Sequence, residues 1–267
     1  MLSAVLALPQ IDRTKGVMGM SGNIIEIRHL RKAFGDHVIF SDLSLTVKKG
    51  ETVVIIGPSG CGKSTLLRCL NGLEPIQGGT IYLNGKPLEY GRKSLVKIRQ
   101  KIGMVFQNYD LFPNMTVLQN ILLSPVKVQK RNRREAKEEA EQLLEKVGLR
   151  EKADAYPDAL SGGQKQRTAI VRSLIMHPDI LLLDEITAAL DPEMVHEVLD
   201  VVMELSRNGT AMLIVTHEMA FAEAAADRVI FLDGGRILEE GEPQAFFHSP
   251  QTERARRFLS AFTYSES

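Results

Sequence analysis

Residues 57–65 of this chain of 267 amino acids read Gly57-Pro58-Ser59-Gly60-Cys61-Gly62-Lys63-Ser64-Thr65. The stretch follows an apolar run, Val53 to Ile56, and leads into a helical segment that begins at Leu66. Glycines in such a loop let backbone N–H groups turn inward around phosphate oxygens, and the following helix adds its positive N-terminal end. We therefore predict a phosphate-binding loop, in which Lys63 reaches the β and γ phosphates and the Ser64 hydroxyl is a Mg²⁺ ligand. This loop alone does not distinguish kinases, GTPases and transporters.

Short apolar runs alternate with amphipathic segments along the rest of the chain. Several runs are apolar throughout, as expected for strands that are covered on both faces of a sheet. The predicted core strands are Glu51 to Ile56, Lys101 to Phe106, Ile180 to Leu183, Ala211 to Val215 and Arg228 to Leu232. This order of elements predicts an α/β core.

Two other kinds of segment flank that core. The early runs Ile24 to Arg28, Val38 to Val47 and Thr80 to Asn84 alternate apolar and polar residues, which predicts antiparallel strands. Between Thr116 and Ile175 apolar residues recur every three or four positions, which predicts a helical insertion. Basic residues at 127–137 interleave with glutamates, and we interpret them as a solvated helix face rather than a nucleic-acid patch.

The composition limits the possible function classes. With 44% apolar and 25% charged residues the chain can bury a full core, and its 33 basic and 33 acidic residues cancel, which argues against nucleic acid as a partner. No window approaches the roughly 18 apolar residues that a membrane-spanning helix requires, so a membrane function must use a partner chain. Only Cys61 and Cys69 are present, which favours reduced thiols and a cytoplasmic location.

A second small-residue segment, Leu160-Ser161-Gly162-Gly163-Gln164, precedes a predicted helix from Lys165 to Met176. It forms another helix N-terminus suited to an anion, although one nucleotide does not need two such cradles on one chain. Together with the strand that ends in Asp184-Glu185, this order resembles the ATP-binding subunits of ABC transporters. In that family the second cradle, called the signature, contacts the γ-phosphate bound to the opposite subunit. The resemblance therefore implies ATP as the nucleotide and a homodimer as the active form.

Asp184 and Glu185 stand where a parallel strand ends, which is where ligands of α/β proteins gather. Asp184 is expected to hold Mg²⁺. As the next residue of the strand, Glu185 is expected to face the other way. The resemblance implies that Glu185 orients and activates the attacking water.

The resemblance implies roles for four further residues. Gln107 corresponds to a glutamine that senses Mg²⁺ and water and faces the membrane partner, and His217 corresponds to a histidine that contacts the γ-phosphate. Asp191 ends a segment that meets the other subunit near its phosphate-binding loop. Phe34 corresponds to an aromatic residue that stacks on adenine, with Phe40 as a nearby alternative.

Three positions depart from the family pattern. Ile186 stands where many relatives have Pro, Ala188 where they often have Ser, and Lys165 follows the signature where Gln is frequent. The hydroxyl contact across the dimer is then missing at Ala188. None of the three is expected to touch the phosphates or the proposed base, so we expect activity to persist.

The resemblance covers residues 23–262 and implies a RecA-like P-loop NTPase core with a small antiparallel β subdomain and a helical insertion subdomain. We expect residues 23–262 to form a single domain whose helical subdomain spans residues 108–178. Residues 1–22 are expected to be a disordered extension, and residues 263–267 a tail.

The likeness is greatest to the ATPases of bacterial polar amino-acid importers. It is carried above all by Phe106 to Pro113, Thr216 to Ala222 and Ala226 to Ile237. It implies two transmembrane permease subunits as partners, indirectly a substrate-binding protein, and a location at the cytoplasmic face of the inner membrane. The alternative is an ABC ATPase that drives a non-transport process of the envelope, or a soluble one that acts on nucleic acid or ribosomes.

Overall fold

The computed structural model describes residues 22–263. The predicted N-terminal extension (residues 1–22) and C-terminal tail (residues 263–267) therefore lie outside the described residues, apart from Gly22 and Thr263.

Strands within the described residues form two sheets. The strands are β1 (Asn23–Phe34), β2 (His37–Lys48), β3 (Thr52–Ile56), β4 (Gly78–Leu83), β5 (Lys86–Pro87), β6 (Ile102–Val105), β7 (Ile180–Asp184), β8 (Met212–Val215), β9 (Arg228–Asp233) and β10 (Arg236–Gly241). An antiparallel sheet has the order β2-β1-β4-β5. A larger sheet has the order β10-β9-β3-β8-β7-β6, in which β10 is antiparallel and the other strands are parallel.

Helices connect these strands and cover the larger sheet. They are α1 (Lys63–Leu70), α2 (Arg92–Lys101), α3 (Val117–Lys127), α4 (Arg133–Lys146), α5 (Gly162–Leu174), α6 (Pro192–Arg207), α7 (Met219–Ala225), α8 (Pro243–His248) and α9 (Glu253–Thr263). Two short 3-10 turns, Arg150–Lys152 and Pro157–Ala159, precede α5. Between residues 22 and 263, no helix combines the length and the apolar character needed to cross a membrane.

Alternation along the buried strands divides the core into two clusters. Every residue of β3 and of β7 is buried. Val54 and Ile56 of β3 pack into one cluster with α3, α4 and α5. Val53 and Ile55 pack into the other with α1, α2 and the antiparallel sheet. The larger sheet is therefore covered on both faces, as its continuous apolar strands predict.

The strand order brings four connecting segments to one edge of the larger sheet. Because β3, β8, β7 and β6 are parallel neighbours, their carboxyl ends lie side by side. The glycine-rich loop leaves β3 at this edge. The segments that begin at Thr216, Glu185 and Phe106 leave β8, β7 and β6. Residues far apart in the chain are thereby collected at one place.

The structure confirms the α/β fold class and the five predicted core strands, whose ends lie within one residue of their predicted positions. Cys61 and Cys69 are free thiols, as predicted. The helix predicted from Lys165 to Met176 instead begins at Gly162 and ends at Leu174, because Ser161 is its N-cap.

The basic segment at 127–137 is only in part a solvated face. The i,i+4 ion pairs of α4 are exposed, as predicted. Arg131, however, is partly buried, pairs with Glu139, and donates a hydrogen bond to the Ile175 carbonyl at 2.9 Å. This contact connects the segment before α4 with the end of α5.

One buried amide holds the loop that leads into α3. Asn120 is fully buried, and its Oδ1 accepts a hydrogen bond from the Phe112 N–H at 2.8 Å. Its Nδ2 donates to the carbonyl oxygens of Phe112 at 3.1 Å, Met115 at 3.0 Å and Thr116 at 3.0 Å. One side chain therefore satisfies one N–H group and three carbonyl groups of the 112–116 segment.

We expect Asn120→Asp to lower the free energy of unfolding by at least about 2 kcal/mol, because a buried carboxylate has no donor for these carbonyl groups. The measurement is urea unfolding at pH 7. Asn114→Asp is the matched control, since Asn114 is exposed in the same loop and the change there should stay within about 0.5 kcal/mol. Equal stabilities of the two variants would contradict the role of Asn120.

Candidate nucleotide-binding site

The glycine-rich loop turns between β3 and α1. Gly57 and Gly62 have φ angles of +155° and +104°, which disfavour any residue with a Cβ. A Cβ at Gly62 would also lie 2.7 Å from the Phe40 ring, and one at Gly57 would lie 2.0 Å from the Leu232 carbonyl oxygen. No side chain caps the start of α1, so the N–H groups of its first turn point out of the helix end. This arrangement suits a phosphate group.

Lys63 places its charge inside the loop. The side chain is almost fully buried, and its ammonium donates hydrogen bonds to the carbonyl oxygens of Gly57 at 2.9 Å and Pro58 at 3.0 Å. The remaining predicted residues, Ser59, Gly60, Cys61 and Thr65, complete the loop and the first turn of α1. A cation and a set of backbone donors thus lie in one concave segment.

Ser64 and Asp184 meet at the mouth of this loop. The Ser64 hydroxyl donates to Asp184 Oδ1 at 2.7 Å, and Asp184 is almost fully buried. Burial raises the pKa of the Asp184 carboxyl, and the hydrogen bond from Ser64 opposes this shift only in part.

A hydroxyl and a carboxylate oxygen at this distance are the hard donors that Mg²⁺ takes when phosphates supply the rest of its shell, so these residues fit the ion. Within residues 22–263 no cluster of three or more His, Cys, Asp or Glu side chains could hold a metal.

Glu185 lies directly beyond β7 and reaches His217. Its N–H donates to the Val215 carbonyl at 2.9 Å, and its Oε1 lies 3.0 Å from His217 Nε2. Asp184 and Glu185 have different partners, as predicted, but strand alternation is not the reason, because β7 ends at Asp184. The left-handed backbone of Glu185, with φ of +46°, turns its carboxylate toward β8 instead.

A second hydrogen bond connects the segments that follow β7 and β8. The buried Thr187 donates from its hydroxyl to Glu218 Oε1 at 3.3 Å, and the Glu218 N–H donates to the Thr216 hydroxyl at 3.0 Å. Thr187 and Glu218 were not among the predicted site residues. Each lies three residues after the end of its strand, close to Asp184 or His217, and this placement was the available signal.

The signature begins α5 with a capping box. The Ser161 hydroxyl accepts from the Gln164 N–H at 3.3 Å, and Gln164 Oε1 accepts from the Ser161 N–H at 3.0 Å. A Cβ at Gly162 would lie 2.9 Å from the Leu190 side chain. The buried Gly163 packs in the same way on Met194 of α6. The small residues therefore also allow α5 to approach the 188–194 segment of its own chain.

Three predicted site residues form no hydrogen bond with the residues around the glycine-rich loop that the structure describes. Across residues 22–263, no hydrogen bond links Gln107, Phe34 or Asp191 to Ser64, Asp184, Glu185 or His217. Gln107 is exposed after β6, and Asp191 is the exposed N-cap of α6. Phe34 is 46% exposed at the end of β1, with the ammonium of the buried Lys32 at 4.0 Å from its ring centroid.

The signature and the phosphate-binding loop likewise have separate neighbours. The loop contacts Phe40, Leu232 and Asp184, whereas the signature contacts the segment after β7. The atoms nearest to a Cβ at Gly162 belong to Leu190, Tyr109 and Ala189, and those nearest to a Cβ at Gly163 belong to Met194. The chain thus carries two anion-suited helix ends at different places.

The family profile described as ABC transporter matches residues 40–188, which include both glycine-rich segments. The glutamine transport ATP-binding protein GlnQ of Bacillus subtilis is 53% identical over 89% of this chain and 98% of its own length. The arginine transport ATP-binding protein ArtM of the same organism is 54% identical over 88% of this chain and 98% of its own.

The chain belongs to the ABC transporter family.

A solved structure supports the fold. The ATP-binding cassette MJ0796, in a dimeric post-hydrolysis state bound to ADP and Pi, is 32% identical and superposes with a TM-score of 0.72. The match covers 82% of this chain and 98% of that one. As an ATP-binding subunit of the ABC transporter family, the protein is an ATPase.

We expect Asp184→Asn, without nucleotide or metal, to be more stable than the wild type at pH 7. The folded chain holds the Asp184 proton more tightly than the unfolded chain, because the pKa is raised above its ordinary value of 3.8. The carboxyl therefore stabilises the fold below that value, and this contribution is lost as the pH rises through the folded pKa. An amide does not titrate, so the advantage of the variant should shrink as the pH falls toward 3.8.

The measurement is urea unfolding across that pH range. Asp154→Asn, at an exposed position, is the control and should show no such gain. If Asp184→Asn is no more stable than the wild type at pH 7, or if its gain does not vary with pH, burial does not raise the pKa of Asp184.

Proposed function

We propose that this ABC protein is the ATP-hydrolysing subunit of an importer for polar amino acids in the bacterial inner membrane. One observation carries the ATPase part. Lys63 and Ser64, which follow β3, lie at the same sheet edge as Asp184 at the end of β7. The Glu185–His217 pair lies at this edge too, beyond the ends of β7 and β8. The single domain at residues 23–262, with its helical subdomain at 108–178, is part of the proposal.

The loop 57–65 binds the phosphates of ATP in this proposal. Its backbone N–H groups and the Lys63 ammonium hold the β and γ phosphates, and Phe34 stacks on the adenine. Ser64 and Asp184 hold Mg²⁺, and Gln107 senses the ion and the water. Mg²⁺ supplies neutralisation of phosphate charge when it is bound.

Glu185 is the proposed base for the attacking water. Its carboxylate is held 3.0 Å from His217 Nε2, and its left-handed backbone leaves little freedom to turn away. A fixed carboxylate keeps the water in line with the γ-phosphate and accepts its proton. In this proposal His217, the partner of Glu185, contacts the γ-phosphate.

Two copies form the proposed active unit. The separate neighbours of the loop and of the signature within one chain support a site in which Ser161, Gly162, Gly163 and Gln164 face the ATP of the partner copy. Asp191 lies in the segment that meets the other subunit. ATP binding then favours the closed dimer, and hydrolysis releases it.

The substrate class rests on relatives with different cargo. GlnQ is named for glutamine and ArtM for arginine, although the two are almost equally similar to this chain. The likeness therefore supports polar amino acids as a class rather than one amino acid. Two permease subunits would receive the dimer at the cytoplasmic face of the membrane, and a substrate-binding protein would deliver the amino acid.

We expect Glu185→Gln to abolish turnover and to trap a dimer with ATP, because every binding group is kept and only the base is lost. Phosphate release measures turnover, and sedimentation in Mg-ATP measures the dimer. Glu151→Gln, an exposed change of the same type, should leave both unchanged. A Glu185→Gln chain that hydrolyses ATP normally would remove Glu185 from the mechanism.

We expect the native chain, purified from its own membranes, to bring with it a permease, and we expect the ATPase activity of the complex to rise with a polar amino acid and its binding protein. Identification of the co-purified chains and activity of the reconstituted complex are the measurements. Recovery with ribosomes, DNA or a lipoprotein-release complex, and without a permease, would overturn the transport function and leave the ATPase.

A further inference from the structure

The side chain of Tyr109 lies where three segments of the chain meet. Tyr109 follows Gln107 by two residues, and its hydroxyl donates to the Ala189 carbonyl at 3.3 Å. A Cβ at Gly162, the first residue of α5, would lie 3.1 Å from the same hydroxyl. One phenol group therefore touches the segments after β6 and β7 and the start of the signature helix.

The backbone at this point is held in an unfavourable conformation. Tyr109 and the next residue, Asp110, both have positive φ angles, of +60° and +48°. Residues with a Cβ rarely adopt this conformation, and two in succession need support from their surroundings.

Arg172 of α5 gives that support. Its guanidinium donates to the Tyr109 carbonyl at 3.0 Å and to the Asp110 carbonyl. One planar guanidinium therefore fixes both left-handed residues. Helix α5 thus contacts the turn at two places, with Gly162 against the phenol and Arg172 against the backbone.

The hydroxyl is suited to act as a donor at the junction. Burial raises the pKa of the Tyr109 phenol, and the charge of Asp191 raises it further. The phenol remains protonated, and the carbonyl of Ala189 accepts its hydrogen bond. Ala189 belongs to the exposed segment that also contains Asp191.

We propose that Tyr109 is a positioning residue that locks the Gln107 segment, the signature end of α5 and the 188–191 segment of one chain into a single unit. The inference rests on the proposed function, in which the signature and the 188–191 segment face the second copy. The hydroxyl of Tyr109 holds the signature and the 188–191 segment at the relative position that the ATP-bound dimer requires. Nucleotide binding by the loop 57–65 of one chain does not involve this bond.

Tyr90 offers a matched comparison. Its hydroxyl donates to the Cys69 carbonyl at 3.2 Å, which is the same chemistry at nearly the same distance. This hydrogen bond lies at the C-terminal end of α1, on the other face of the larger sheet. Loss of either hydroxyl removes one hydrogen bond, but only Tyr109 contacts the signature.

The experiment compares Tyr109→Phe and Tyr90→Phe in the full chain that also carries Glu185→Gln. Sedimentation measures the dissociation constant of the dimer in Mg-ATP, and titration of dilute protein with a fluorescent ATP analogue measures nucleotide affinity of the single chain. We expect Tyr109→Phe to weaken the dimer by about tenfold or more, because a symmetric dimer contains two such junctions. Its nucleotide affinity, and both quantities in Tyr90→Phe, should stay within about twofold of the parent.

Three results would overturn the inference. They are a dimer of Tyr109→Phe as tight as that of the parent, an equal weakening by Tyr90→Phe, and a parallel loss of nucleotide affinity in Tyr109→Phe. If the parent with Glu185→Gln forms no dimer in Mg-ATP, the proposed shared site itself is wrong, and the role of Tyr109 falls with it. Failure of the inference alone therefore differs from failure of the proposed function.

Discussion

The hydrogen bond from the Ser64 hydroxyl to the Asp184 carboxylate joins two parts of the chain that are 120 residues apart. It forms because β3 and β7 lie in one parallel sheet with β8 between them, so that their carboxyl ends share an edge. The Glu185–His217 pair is placed by the same edge. In another strand order these residues would have no common site, and the loop 57–65 would bind a phosphate without a carboxylate beside it.

The parts of the structure that are predictable from the sequence have local signals. The run from Val53 to Ile56 is apolar at every position because both of its faces are covered, and the glycines after it are required by positive φ angles. The positions of Asp184 at the end of β7 and of His217 shortly after β8 are predictable for the same reason. Contacts such as Arg172 with the Tyr109 carbonyl, or Arg131 with Ile175, join distant segments and leave no periodic pattern. The residue types around Glu185 likewise do not predict its left-handed backbone conformation.

Among the described residues, three of the seven non-glycine residues with positive φ angles lie where the proposed function needs fixed geometry. Tyr109 and Asp110 follow β6 within five residues, Glu185 directly follows the neighbouring strand β7, and all three have positive φ angles. Each is held by a partner on another element. Arg172 of α5 holds Tyr109 and Asp110, and the Val215 carbonyl of β8 holds Glu185. Tertiary contacts outweigh local preference here, which is typical of ligand sites.

The strand order also determines when the site can assemble during protein synthesis. The loop 57–65 is encoded in the first quarter of the chain, but its strand β3 pairs only with β8 and β9, near residues 212–233. The hairpin of β1 and β2 has partners close in sequence and can pair while the ribosome is still translating. The phosphate-binding loop must remain open until almost the whole chain has emerged. A product that ends before β8 would therefore not bind ATP, although it contains every residue of that loop.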